Sequence, residues 1–78
     1  MIELPSDLQV NQPTVTLVGN RFVCIENYIS ILEYDTNIIR VKTKSNVIKI
    51  LGDKLSLKYI TDAELGIKGI VHGIEYSN

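Results

Sequence analysis

Seventy-eight residues and 8.8 kDa make one small domain, and a chain this short buries only roughly 60% of its unfolded surface, which leaves little room for a deep catalytic cavity beside a core. Twelve Ile, seven Val and five Thr against a single Ala exclude a mainly helical protein, because branching at Cβ restricts χ1 in a helix and suits a pleated strand. A net charge of −1 and a pI near 5.7 exclude the strongly basic kind of nucleic-acid binder, although residues 1–35 carry a balance of −4 and residues 36–68 one of +4.

Met1 to Pro13 mixes Pro5, Asn11, Gln12 and Pro13 with isolated apolar residues and reads as an extended N-terminal arm (1–13) ahead of a single β domain (14–78). This lead-in has neither the basic start nor the apolar stretch of a signal peptide, and no apolar run approaches the ~18 residues of a membrane span, so a cytosolic protein is expected. Thr14 to Val18 and Arg21 to Glu26 flank Gly19-Asn20, where Gly meets the positive φ that opens a type II′ hairpin turn. Asn27, which tolerates left-handed dihedrals, marks a corner or bulge before Tyr28 to Tyr34. Asp35-Thr36-Asn37 then turns into Ile38 to Thr43, whose Ile39 and Val41 alternate with Arg40 and Lys42.

Lys44-Ser45-Asn46 leads into Val47 to Leu51, and Gly52-Asp53 reads as another turn. Lys54 to Ile60 places Leu55, Leu57 and Tyr59 inward and Lys54, Ser56 and Lys58 outward. Thr61-Asp62-Ala63-Glu64 is a turn, and Leu65 to Lys68 and Ile70 to Tyr76 close the chain around Gly69. About eight short strands predict an all-β fold, an antiparallel meander sandwich or small barrel, with a short β-solenoid as the alternative. The alternation assigns Val15, Leu17, Ile25, Ile39, Val41, Ile48, Ile50, Leu55, Leu57, Ile67 and Ile74 to the core.

The sequence offers no phosphate loop, nucleophile elbow or Cys/His ligand set at the spacing that catalytic, cofactor or metal chemistry needs. No catalytic residue, metal or cofactor is expected. Cys24 has no intramolecular disulfide partner, fits a reducing compartment and reads as a small buried thiol. His72, the one histidine, reads as a structural or surface residue, and Glu26 and Glu33 as solvated carboxylates. Four tyrosines, Tyr28, Tyr34, Tyr59 and Tyr76, fall within apolar alternation at the edge of the core.

Arg40, Lys42, Lys49, Lys54 and Lys58 take outward positions and form a candidate basic face, suited to anionic lipid headgroups or an acidic partner. The alternative function is therefore a basic-face binder of anionic membrane or nucleic acid, with nucleic acid the weaker of the two because the stripe has no interleaved aromatics for base stacking. Strict alternation also turns Ile38, Val47, Leu51 and Ile60 outward as a candidate apolar interface for a partner or a second copy, unless bulges after Asn27 or Gly52, or the N-terminal arm, cover them. The acidic front and basic middle are complementary between copies, which favours homo-oligomer formation at low salt.

Leu4-Pro5, Asn11-Gln12-Pro13, Thr16-Leu17-Val18-Gly19-Asn20, Ile25-Glu26-Asn27-Tyr28, Ile31-Leu32-Glu33-Tyr34 and Ile48-Lys49-Ile50-Leu51-Gly52 follow one another in a distinctive order. With Leu55 to Ile60, Ile67-Lys68-Gly69 and Ile74-Glu75-Tyr76, the succession resembles the YabP/YqfC family of sporulation proteins, closer to its YqfC branch. Ser30 and Asn46 stand where small turn residues, often glycine, are expected. The resemblance implies a non-enzymatic structural or adaptor protein of the mother-cell cytoplasm. It also implies a membrane protein of the sporulation programme as partner, and a place at the developing spore surface, peripheral to the forespore outer membrane.

Overall fold

Six strands and no helix make up residues 12–78, the part of the chain that the computed structural model describes. They are β1 (Thr14–Val18), β2 (Phe22–Glu26), β3 (Tyr28–Tyr34), β4 (Ile38–Thr43), β5 (Val47–Ile60) and β6 (Glu64–Ser77). Residues 1–11 of the expected arm lie outside the described residues. All pairings are antiparallel, in one open sheet of order β1-β2-β6-β5-β4-β3. The order departs from a simple meander, because β2 sits beside β6 instead of β3, and antiparallel pairing throughout sets aside the solenoid.

Eight expected strands become six because the two breaks expected at Gly52-Asp53 and at Gly69 lie inside the continuous strands β5 and β6, where bulges bend the ladder instead of ending it. From Asp53 to Ser56 β5 advances three residues while β6 moves two, from Ile70 to Lys68, and Lys54 absorbs the excess with φ 55. A second extra residue on β5, Lys58, falls between Leu57 and Tyr59, and β6 carries His72 as its own extra residue opposite the Leu51–Gly52 step. Each insertion reverses the side-chain phase, since a shift of one residue exchanges the two faces of a strand. Tyr59 therefore leaves the side expected for it.

The hairpin turn forms as its residues require. Gly19 takes φ +57, and Asn20 has no positive φ, the pattern of a type II′ start. Val18 pairs with Phe22, so Arg21 belongs to the turn, where its N–H donates to the Val18 carbonyl at 3.3 Å. Asn27 makes the corner between β2 and β3 with φ 62, its N–H donating to Ala63 O at 2.6 Å and its Nδ2 to Gln12 O at 2.8 Å. At the other expected turn Thr61 Oγ1 accepts from the N–H groups of Ala63 and Glu64 at 3.3 and 3.1 Å.

Val23, Ile25, Ile39, Val41, Ile50, Leu65 and Ile67 are fully buried, with Ile48, Leu55 and Val71 completing one core. A flat sheet has no second layer to keep water from one face, so burial this complete requires the sheet to fold over itself. The long β5–β6 hairpin allows this: β2 pairs with Glu64–Lys68 at one end and β4 with Val47–Leu51 at the other. Hydrogen bonds tie the two halves, from Leu57 N–H to Tyr34 Oη at 3.1 Å and from Tyr28 Oη to Thr61 O at 2.6 Å. Val15, Leu57 and Ile74 pack on the core as partly buried residues, while Leu17, expected inside, is 47% exposed because β1 is short and lies at the end of the strand order.

Candidate functional site

The expected surface residues separate onto two halves of the outer face. On the β3-β4-β5-β6 half, the register lines up Glu33, Arg40, Lys49 and Glu75 across four strands. Cross-strand partners share a face, so this row is a ladder of alternating demand: Arg40 Nε donates to Glu33 Oε1 at 2.8 Å, and Lys49 Nζ stands 3.5 Å from Glu75 Oε1. Two of the five expected basic residues are therefore charge-compensated. Lys42 is exposed on the same face, opposite Val47.

Lys54 and Lys58 do not join them. Lys58, the bulge residue, lies with its Nζ 5.6 Å from the centroid of the Phe22 ring, and Phe22 also meets Tyr59 with ring centroids 6.3 Å apart. Lys54 lines a cavity together with Arg21 and Lys68. The expected single cationic face is thus three separate groupings, a division created by bulges that no composition or period-two pattern reveals.

The apolar candidates divide in the same way. Ile38 stands directly opposite Leu51, both half-buried, with Gly73 next to Leu51 on β6 and open space above it. Val47 lies on the same face beyond the ion-pair row. Ile60 pairs with the fully buried Leu65 and so sits at the rim of the core face, 52% exposed, away from the other three.

A third arrangement was missed in the sequence. Cys24, read there as a small buried thiol, is half-buried on the outer face, because Val23 and Ile25 take the inward phase of β2. Gly66 lies between Cys24 and Tyr59 in the register, and without a side chain it lets them meet: Cys24 Sγ and Tyr59 Oη are 3.3 Å apart. The thiol also donates to Glu64 Oε2 at 3.8 Å. The hydrogen bond to Cys24, then removal from water, then the charges of Cys24, Glu64 and Glu26 push the Tyr59 phenol up to about 12. Potential ligand atoms of Cys24, Glu26 and Glu64 lie within 4.8 Å of one another, the described residues best placed to serve one cation. Tyr59 and Glu64 already satisfy the thiol by hydrogen bonding.

His72 is exposed and pairs through Nε2 with Asp53 Oδ2 at 3.1 Å, a surface role as expected. Glu33 and Glu26, both exposed as expected, lie on different halves of the sheet.

A profile of the YabP family matches residues 9–78, nearly the whole chain. The chain belongs to the YabP family. Among relatives of this YabP-family chain, the uncharacterized protein YqfC of Bacillus subtilis (strain 168) is 28% identical over 75 residues, covering 96% of this chain and 81% of that protein. The matched span takes in all six strands of the YabP-family chain and every residue of the Glu33–Glu75 row.

Proposed function

We propose that the protein is a non-enzymatic adaptor of the sporulation programme, working in the mother cell at the developing spore surface by docking a protein partner, a membrane protein of the same programme. The observation that carries this reading is the Ile38–Leu51 pair, an apolar spot flanked along one side by the row of Glu33–Arg40 and Lys49–Glu75 ion pairs. An apolar core with a polar rim is the anatomy of protein interfaces, where the rim sets orientation and the core supplies most of the affinity. Ion-paired cations have less charge left for an anionic surface, which favours a protein partner over lipid or nucleic acid on this face.

Affinity capture from sporulating cells with the wild-type chain and with Leu51→Lys tests the reading. The wild type should recover a membrane protein made during sporulation, and Leu51→Lys should lose it while keeping the same melting temperature. Equal recovery by both, or expression of the protein only in vegetative growth, would overturn it.

A further inference from the structure

We infer that Arg21, Lys54 and Lys68 form a binding site for a phosphate monoester, whether carried by a soluble molecule or by a lipid headgroup. The three cations, with Gly69 and Ile70, line one cavity of about 410 Å³. That volume falls in the ~300–1,000 Å³ range of small-molecule sites. They come from three separate places in the chain: the turn after β1, the bulge of β5 and the middle of β6. Like charges brought together repel, and nothing acidic lines the cavity.

The nearest carboxylate in sequence, Asp53, is turned elsewhere. Its Oδ1 accepts from Asn37 Nδ2 at 3.0 Å and its Oδ2 meets His72 Nε2 at 3.1 Å. Arg40, Lys49 and His72 have carboxylate partners and Lys58 has a ring, whereas Arg21, Lys54 and Lys68 have neither an ion pair nor a side-chain hydrogen bond among the described residues. Three unmatched cations lining one hollow are complementary to a doubly charged anion.

The backbone holds this grouping in place. Gly69 adopts φ +143, and a Cβ there would stand 2.7 Å from the Lys54 carbonyl oxygen and 2.9 Å from Leu55 Cα, so only glycine lets β6 approach the Lys54 bulge so closely. Gly69 N–H donates to Arg21 O at 3.2 Å and Val71 N–H to Asn20 O at 2.7 Å, which fixes the hairpin turn against the same point of β6. The Arg21 guanidinium supplies a planar fork matched to two phosphate oxygens, the lysines supply point charges, and Ile70 offers an apolar wall to the group that carries the phosphate.

Amide chemical shifts of the whole chain would be followed on addition of inorganic phosphate and of glycerol 3-phosphate, with sodium chloride at matched ionic strength as reference. Saturable shifts centred on Arg21, Lys54 and Gly69 are expected, with binding about tenfold weaker or worse in Arg21→Ala/Lys68→Ala. Lys42→Ala/Lys44→Ala, which removes the same charge elsewhere, should bind like the wild type. Lys68→Glu serves as a second site variant that keeps a long polar side chain, and melting temperatures confirm that each variant is folded. Co-sedimentation with phosphatidylcholine vesicles containing phosphatidic acid, lost in the site variants, would support the site with a lipid source. Glycerol 3-phosphate binding without co-sedimentation would support it with a soluble source. Phosphate shifts no larger than those of chloride, or equal weakening by the two alanine pairs, would overturn the site.

Discussion

Tyr59 carries the most distinctive single-residue property of the described chain. Its phenol holds the proton more tightly folded than unfolded, so the unfolded chain releases it near the ordinary value of 10 while the folded chain keeps it up to about 12. Between those values the folded state binds more protons, and stability must fall as pH rises through the window. Ultraviolet titration should show the Tyr59 phenol ionising above the ordinary value, and Cys24→Ala should lower it; an unchanged titration would dissociate Tyr59 from Cys24. The same contact constrains Gly66, because a Cβ there would overlap the Tyr59 ring. Gly66→Ala is expected to cost about 1–3 kcal/mol by overpacking, and much less in a Tyr59→Ala background, a coupling that denaturant melts of the four chains would read. None of this was legible in the sequence, where Tyr59 follows Leu55 and Leu57 in unbroken alternation and only the extra residue Lys58 turns it outward.

Strands were legible wherever period two runs uninterrupted. Ile39 and Val41, or Ile48 and Ile50, announce both the strand and its buried face, and both pairs lie in the core. Bulges were not legible, because Gly52-Asp53 carries the composition of a turn, and only the pairing partner decides whether the chain reverses or continues. Here Gly52 continues β5 against β6, with Ile70 so close that a Cβ would overlap its carbonyl oxygen. No side chain can move aside, so Gly52→Ala should cost about 3 kcal/mol or more. Gly73, one bulge away on β6, has open space above it, and Gly73→Ala should change stability by no more than about 1 kcal/mol, in the stabilising direction. Equal melting temperatures for the two variants would refute the bulge geometry. The Arg40–Glu33 pair is two-fifths exposed at each end, so Arg40→Ala should cost only about 0.2–1 kcal/mol; the ladder orients the face more than it stabilises the fold.

At the scale of the molecule, one core serves both halves of the folded-over sheet, so a cavity anywhere in it weakens the whole. Ile50→Ala, at a fully buried position, should cost about 2–5 kcal/mol, a large fraction of the roughly 5–15 kcal/mol that holds a small domain together. Leu57→Ala should cost less, since Leu57 is only partly buried. Chemical denaturation of both variants checks the ranking. The candidate site was partly legible at this scale: the sequence identified Ile38, Leu51, Arg40 and Lys49 as outward, but not that each cation meets a carboxylate on the neighbouring strand. The grouping of Arg21, Lys54 and Lys68 was invisible for a related reason, since residues so far apart in the chain meet only through the order of strands.

That order also dictates how the chain can assemble. β6, the last of the six strands to be synthesised, occupies an interior position between β2 and β5. Until it emerges, the nascent chain can form only a β1–β2 hairpin and a separate β3-β4-β5 piece, each with an unsatisfied edge and neither with a complete core. Joining them requires β2 to find a strand about forty residues downstream, a long loop closure that places folding among the slower, non-local β topologies, in milliseconds to seconds. A chain ending before Glu64 should therefore lose cooperative unfolding altogether, and a ribosome that pauses before the last strand has emerged would hold two half-sheets with unpaired edges on one tethered chain.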